Sequence, residues 1–248
     1  MKPANSFAAV ISAAGSSSRM GGVKKEYLPL GQMTVLGAAV AAFANCPEIG
    51  PIVVAVRPGE ENGEAAAKIP AQLLSGNKRI IFVPGGPTRR ISVHNALSFL
   101  EPFHPTHVLI HDGARPWVNR GLIERCIEAA VRHGAVIPAL PLTETPKELH
   151  ILGSGSQLDP KEPGSAGPEE PAFIERHLKR ERVCTAQTPQ GFSFPEILAA
   201  HEKAKEREEK EGVEYTDDAE VWGEFVGKVA VISGDPENRK ITYPEDIK

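Results

Sequence analysis

Cysteine is scarce in this 248-residue chain, and aromatic residues make up only 6% of it. The three cysteines, Cys46, Cys126 and Cys184, are odd in number, far apart and free of metal-ligand spacing, which argues for a reduced, cytoplasmic chain rather than a disulfide framework. No uninterrupted apolar stretch is long enough to span a bilayer, so a soluble protein is expected. Lys2 followed by Phe7 to Ala14 makes a meagre signal peptide, because the run contains Ser12 and leads straight into a glycine-rich loop. Excess positive charge is missing as well. With 28 basic and 32 acidic residues the net charge is −4, so there is no nucleic-acid footprint, and any anionic ligand must be met by a local cluster of cations. Two phosphate signatures are also absent: no Gly-Lys-Ser/Thr closes a Walker A loop, and no Gly-x-Gly-x-x-Gly marks a dinucleotide turn.

What is present is a regular alternation. Short apolar runs at Phe7 to Ser12, Ile52 to Val56, Ile80 to Val83, His107 to Ile110 and Ala135 to Leu140 read as buried strands. Between them lie helical stretches at Thr34 to Asn45, Glu60 to Lys68, Arg89 to Leu100 and Gly121 to Arg132. Apolar strands separated by helices predict an α/β fold built on a mainly parallel, doubly wound, Rossmann-like sheet covered on both faces. Ligands of such sheets sit at the carboxyl ends of the strands, and here the loops richest in chemistry do follow strands.

The first of these loops, Ala13 to Leu30 (AAGSSSRMGGVKKEYLPL), combines Gly15, Gly21 and Gly22 with the hydroxyls of Ser16 to Ser18 and the charges of Arg19, Lys24 and Lys25. Glycines let the backbone turn tightly and approach a ligand, and the cations suit a phosphate chain; a solvated Gly/Ser loop has the same composition. The second, Gly85-Gly86-Pro87-Thr88-Arg89-Arg90-Ile91-Ser92-Val93, pairs two glycines with a serine able to make a specific hydrogen bond, or is simply a turn. The third, His111-Asp112-Gly113-Ala114-Arg115-Pro116, puts a carboxylate where magnesium or a ribose could be held and an arginine beside it for an anion, or else a helix-capping aspartate. Tyr215-Thr216-Asp217-Asp218-Ala219 carries paired acids that could assist a metal or cap the helix running to Phe225.

Taken together these strings resemble the sugar and polyol nucleotidyltransferases, and Lys25-Glu26-Tyr27-Leu28 narrows the resemblance to the 2-C-methyl-D-erythritol 4-phosphate cytidylyltransferases. Six separated blocks occur in the family's order: the first loop, the Gly-Gly-x-x-Arg-x-x-Ser-Val string, His-Asp-Gly-Ala-Arg-Pro with Gly113 for the usual alanine, Thr188-Pro189-Gln190, the Thr-Asp-Asp-Ala string, and Asn238 to Asp246. The resemblance implies magnesium-dependent transfer of a cytidylyl group from CTP to a polyol phosphate, with Asp112 as the metal ligand. It assigns Arg19 and Lys25 to the charge that develops at the reacting phosphates, and Arg180 and Lys240 to the attacking phosphate. Arg176 and Arg182 are positions that a shifted alignment would confuse with Arg180. Ala13, Ala14, Gly15, Ser16, Gly85, Gly86, Ser92, Asp112 and Gly113 are implied in nucleotide binding, and Arg115, Thr145 and Thr188 in binding the second substrate. His111 is expected to be structural, since attack by a phosphate needs no imidazole base. The ribitol-5-phosphate cytidylyltransferases share most of these blocks, and a non-catalytic nucleotide-binding module is the remaining alternative.

After Leu142 to Glu148 (LTETPKE) the alternation stops. Glycine, proline and serine supply more than half of Leu152 to Pro171, a composition that offers little surface for a packed element. The resemblance implies one nucleotidyltransferase domain over 1–248, with an arm at about 143–187 that clasps a second subunit to make a homodimer. Beyond the arm, Phe194 to Gly212 reads as a charged, helix-prone stretch in which Lys203 to Glu211 forms a solvated helical surface, and Lys228 to Ser233 as a last strand.

Overall fold

The apolar run at the head of the chain becomes the centre of the sheet because both of its faces are buried. In the computed structural model, which describes residues 6–17, 20, 23–150 and 173–247, β1 (Phe7–Ser12) leads through α1 (Val35–Ala44) to β2 (Ile49–Val56). The chain continues through β3 (Ile80–Pro84), α2 (Arg89–Leu100), β4 (His107–Asp112), α3 (Arg120–His133) and β5 (Ala135–Pro141). A hairpin of β6 (Lys147–His150) and β7 (Phe173–His177) follows. The chain ends through β8 (Gln190–Ser193), α4 (Phe194–Glu211), α5 (Asp218–Phe225) and β9 (Ala230–Ser233).

Strand pairing explains where a ligand can enter. β1 pairs in parallel with β2 on one side and with β4 on the other, and β3 extends the sheet in parallel beyond β2. The chain therefore moves outward from β1 to β3 and returns to the opposite side of β1, so the strand order reverses between β1 and β4, the place where a crevice opens at the carboxyl ends of such sheets. Alternate residues of β1 serve the two layers. Phe7, Ala9 and Ile11 pack with Leu36, Val40 and Phe43 of α1 and Leu122 and Cys126 of α3, whereas Ala8 and Val10 pack with Val93 and Leu97 of α2 and Ile197 of α4. Helix starts are set by side-chain caps: the Thr34, Thr88 and Asn119 oxygens accept from the N–H groups of Gly37, Ile91 and Leu122 at 2.9, 3.2 and 2.9 Å.

Several elements differ from the sequence expectation. The stretch 60–68 is two 3₁₀ turns, Glu60–Asn62 and Ala66–Lys68, because Gly59 and Gly63 sit at φ of 96° and 128° and interrupt any continuous helix. β2 begins at Ile49, ahead of the apolar core that starts at Ile52. β8, read from sequence only as part of a motif, is an antiparallel strand inserted between β4 and β5, with Gly191 opposite both Leu109 and Val136. Cys46 and Cys126 are buried, and Cys184 is exposed.

Two compact units are distinguished, Met1–Ala139 with Ala186–Lys248, and Leu140–Thr185. In the second, the antiparallel β6 and β7 place Lys147 opposite His177 and Glu148 opposite Arg176, which form an ion pair at 2.9 Å. Phe173 and Ile174 on this hairpin are 60% and 51% exposed. The Gly/Pro/Ser-rich stretch Leu152 to Pro171 lies outside the described residues.

The tight insertion of β8 yields a stability prediction. A methyl added at Gly191 would meet Leu109 Cδ2 at 3.0 Å and Ala130 Cβ and Val136 Cγ1 at 3.1 Å, with strand or helix backbone behind each. Gly191→Ala is expected to destabilise the fold by about 1–3 kcal/mol through overpacking, read as a lower midpoint in urea unfolding.

Candidate active site

The crevice between β1 and β4 opens into a cleft of about 650 Å³. Its walls bring together five stretches distant in sequence: Ser12 and Ala14 to Ser17 with Lys25 and Glu26, Arg57, Gly86 to Arg89 with Ser92, Asp112 with Ala114, and Lys240 with Thr242. Of the residues assigned from sequence, Ala14, Gly15, Ser16, Lys25, Gly86, Ser92, Asp112 and Lys240 line it. Arg19, Gly21 and Gly22 lie outside the described residues.

The first two glycine-rich loops have their shape for steric reasons. A side chain at Gly85 would overlap the methyl of Ala14, and one at Gly86 would overlap Ile91, so only glycine lets this turn lie against the first loop. Ser92 Oγ accepts from the Gly86 N–H at 3.0 Å and lies 2.9 Å from the Thr88 carbonyl, which locks the turn at the start of α2. Gly113 N–H donates to the Ser12 carbonyl at 2.8 Å, and a Cβ there would press on Ala13 at 3.1 Å. Ala13 itself is buried, its N–H bonded to Ala55 O at 2.8 Å. In the first loop Ser17 closes one limb on the other, accepting from the Lys25 N–H and donating to Glu26 Oε2, each at 3.4 Å.

Asp112 is the electrostatic centre. One carboxylate oxygen is 3.2 Å from Arg89 Nε; the other is 2.9 Å from Lys240 Nζ and 3.6 Å from Arg115 Nε. Burial alone would raise its pKa, but Lys240, Arg89 and Arg115 outweigh it and hold the group well below the usual carboxylate range. Arg89, in the sequence only one letter of a motif, spans two acids, because its Nη1 lies 2.8 Å from Asp218 Oδ2. Asp218 is wholly buried and faces His201 Nε2 at 3.2 Å; burial acts to raise its pKa and Arg89 prevails to lower it. The paired acids thus divide their tasks. Asp217 caps α5, accepting from the Glu220 N–H at 2.9 Å, while Asp218 anchors Arg89. Nothing in the sequence ties Arg89 to Asp218, since the two meet only when α5 docks on α2.

Behind the cleft wall, Thr188 and Arg115 hold this arrangement in place. Thr188 Oγ1 accepts from the Asp112 N–H at 3.1 Å and lies 2.9 Å from His111 Nδ1, while His111 Nε2 is 3.0 Å from the Arg115 carbonyl. Complete burial lowers the His111 pKa to about 4, so its ring is neutral at neutral pH. In that state Thr188 donates to Nδ1 and Nε2–H donates to the carbonyl, in keeping with the structural role expected for His111. Arg115 Nη1 donates to Asn238 O at 2.9 Å, and Asn238 Nδ2 donates to Thr188 O at 2.7 Å, so the segment leading to Lys240 is fastened to the same point. Thr145 and Arg180 belong to the second unit. There Thr145 is exposed, and Arg180 Nη1 donates to the Thr143 carbonyl at 2.7 Å.

As a donor set for magnesium the cleft offers the Asp112 carboxylate. Magnesium binds readily through one or two carboxylates when substrate phosphates and water supply the rest, so a single acid beside a phosphate-binding loop fits such an ion.

Comparison with known proteins draws on most of the chain. Residues 7–153 and 168–248 match the family model described as IspD: 2-C-methyl-D-erythritol 4-phosphate cytidylyltransferase, and the unmatched 154–167 falls in the Gly/Pro/Ser-rich stretch. The bifunctional enzyme IspD/IspF of Bradyrhizobium sp. (strain BTAi1) is 38% identical over 243 residues, which are 97% of this chain and 54% of that protein; the chain spans about half the length of that relative. The 2-C-methyl-D-erythritol 4-phosphate cytidylyltransferase of Desulforamulus reducens is 37% identical over 240 residues, 96% of this chain and 92% of the relative. The crystal structure of 2-C-methyl-D-erythritol 4-phosphate cytidylyltransferase from Thermus thermophilus superimposes with a TM-score of 0.70 at 32% identity, covering 98% of this chain and 95% of the other. With four of the six motif blocks lining one cleft and the family model matching on both sides of the arm, the chain belongs to the 2-C-methyl-D-erythritol 4-phosphate cytidylyltransferase (IspD) family.

Proposed function

We propose that this chain converts CTP and 2-C-methyl-D-erythritol 4-phosphate to 4-diphosphocytidyl-2-C-methyl-D-erythritol and pyrophosphate, a step of non-mevalonate isoprenoid biosynthesis. The observation that carries the reading is the meeting, in one cleft, of a Gly/Ser phosphate turn with Lys25 and an Asp112–Lys240 pair. The alcohol's phosphate oxygen attacks the α-phosphorus in line, a new P–O bond forms there, and the bond from the α-phosphorus to the oxygen bridging the β-phosphorus breaks. Gly85, Gly86 and Ser92 are assigned to the cytosine edge: Ser92 fixes the turn through the Gly86 N–H and the Thr88 carbonyl, so the edge offered to the base has a set shape that favours one hydrogen-bonding pattern. Lys25 and Arg19 are assigned to the charge that grows on the α-phosphoryl and leaving oxygens, and Lys240 to the attacking phosphate. Magnesium held by Asp112 and the phosphates would neutralise part of that charge. Arg115 and Thr188 support the second-substrate site through Asp112 and Asn238.

The second unit is read as the homodimer contact and the source of Thr145 and Arg180 for a shared site. Its hairpin exposes Phe173 and Ile174, large apolar groups that a second copy would cover. Free cysteines are in keeping with a cytoplasmic setting.

The direct test is pyrophosphate release by the purified protein with CTP, magnesium and each alcohol phosphate in turn. Turnover with 2-C-methyl-D-erythritol 4-phosphate is expected to exceed that with ribitol 5-phosphate, and CTP is expected to be used over UTP or ATP. The reverse preference for the alcohol would assign the chain to the sister activity. Lys25→Ala should lower kcat by roughly 10²–10³ with a smaller change in the KM for CTP, because its value lies in charge that develops during transfer. A near-normal kcat would remove Lys25 from the chemistry. For the arm, Arg180→Ala and Lys25→Ala subunits are mixed and heterodimers isolated. A shared site predicts partial recovery of activity, since one of the two sites then holds both residues; heterodimers as inactive as their parents would place Arg180 elsewhere.

A further inference from the structure

The first loop is held by a turn that no motif includes, one end of which, Arg57, lines the cleft. Directly after β2, Arg57 directs its fork at the Gly15 carbonyl, with Nε at 3.1 Å and Nη2 at 2.9 Å. Three residues on, a single oxygen of Glu60 meets Lys24 Nζ, accepts from Tyr27 OH at 2.7 Å and accepts from the Arg57 N–H at 3.2 Å. Lys24 also lies 4.2 Å from the centre of the Tyr27 ring. Its side chain is 7% exposed and that of Glu60 13%, so the pair is withdrawn from solvent although neither residue lines the cleft. Gly15 stands on one limb of the loop and Lys24 on the other, immediately before Lys25. The 57–60 turn therefore grips both limbs at once.

We propose that Glu60 is a positioning residue for nucleotide binding: by clamping Lys24 and Tyr27 directly, and Gly15 through Arg57, it fixes the spacing of the two limbs that present Gly15, Ser16 and Lys25 to the triphosphate. The chemistry supports a clamp more than a contribution to stability. Burial lowers the Lys24 pKa, and burial would raise that of Glu60 were it not for its hydrogen bonds from Lys24 and Tyr27, which hold it low. Each charge is thus tolerated because the other is there, and such pairs are better suited to fixing geometry than to adding net free energy. Asp at this position would be one methylene too short to reach all three donors.

The inference rests on the reading of the cleft as a CTP site, so binding is measured apart from turnover. Glu60→Gln keeps the shape and removes the charge. Its Kd for CTP, measured by titration calorimetry with magnesium present, is expected to weaken tenfold or more relative to the wild type, and the KM for the alcohol phosphate should stay within about twofold. Adding Lys24→Met to Glu60→Gln should weaken CTP binding little further, because the clamp is already open. A merely structural Glu60 would lower the melting temperature and leave the Kd for CTP unchanged, and that result would overturn the proposal, as would equal changes for both substrates. If the wild type binds CTP and makes no cytidylyl product, the transfer reaction is wrong while the clamp is still judged on Kd.

Discussion

The carboxylate of Asp112 is the point on which the site depends. Arg89, Arg115 and Lys240 all aim positive charge at this one group, and without it they would repel one another across the mouth of the crevice. Because the Asp112 N–H is itself bound by Thr188, the carboxylate cannot follow its cations outward. Attraction therefore acts in one direction, drawing α2 through Arg89 and the C-terminal segment through Lys240 toward the end of β4. The fold and the site are not separable here: the contact that seats the last segment of the chain also delivers Lys240 to the cleft.

Position in the sheet explains why this could be arranged. β1 and β4 are the central parallel strands, flanked on both faces by helices, and their ends are the least mobile places from which to hang short loops. Asp112 is the last residue of β4, and the loop bearing Gly15 and Ser16 starts one residue after β1. Substrate-facing groups on such short tethers need little further ordering when a ligand arrives, which favours positioning as the source of catalysis in phosphoryl transfer.

Much of this was legible in the sequence, and the exceptions have physical causes. Phe7 to Ser12 and Arg89 to Leu100 are found with the bounds their patterns imply, because a fully buried strand and a Thr-capped helix are specified locally. The stretch 60–68 misled because helix-prone residues outnumber its glycine, yet Gly59 and Gly63 take conformations that end the helix. β8 was hidden by brevity and by Gly191, whose missing side chain weakens any strand pattern and is what lets the strand fit beneath α3. Gly86, Asp112 and Lys240, which the motif strings carry, do meet in the cleft. Arg57, Glu60 and the Arg89–Asp218 contact were not legible, since each depends on which surfaces meet after folding.

Those missed contacts share a logic. Arg89 between Asp112 and Asp218, and Glu60 between Lys24 and Arg57, are both charged groups withdrawn from water and satisfied by several partners at once. A hydrophobic residue in either place could fill the same volume without the cost of desolvating a charge. It could not hold a neighbour in one direction, because apolar contact is non-directional, whereas a guanidinium fork or a carboxylate oxygen fixes angle as well as distance. One network sits behind the Asp112 carboxylate and the other behind the first loop, so directional constraint is concentrated around the cleft. Lys240 follows from the same reasoning. Its ammonium has three donors, Asp112 occupies one side, and the side chain, 40% exposed, lines the cleft, so the direction of this cation is set before any ligand arrives.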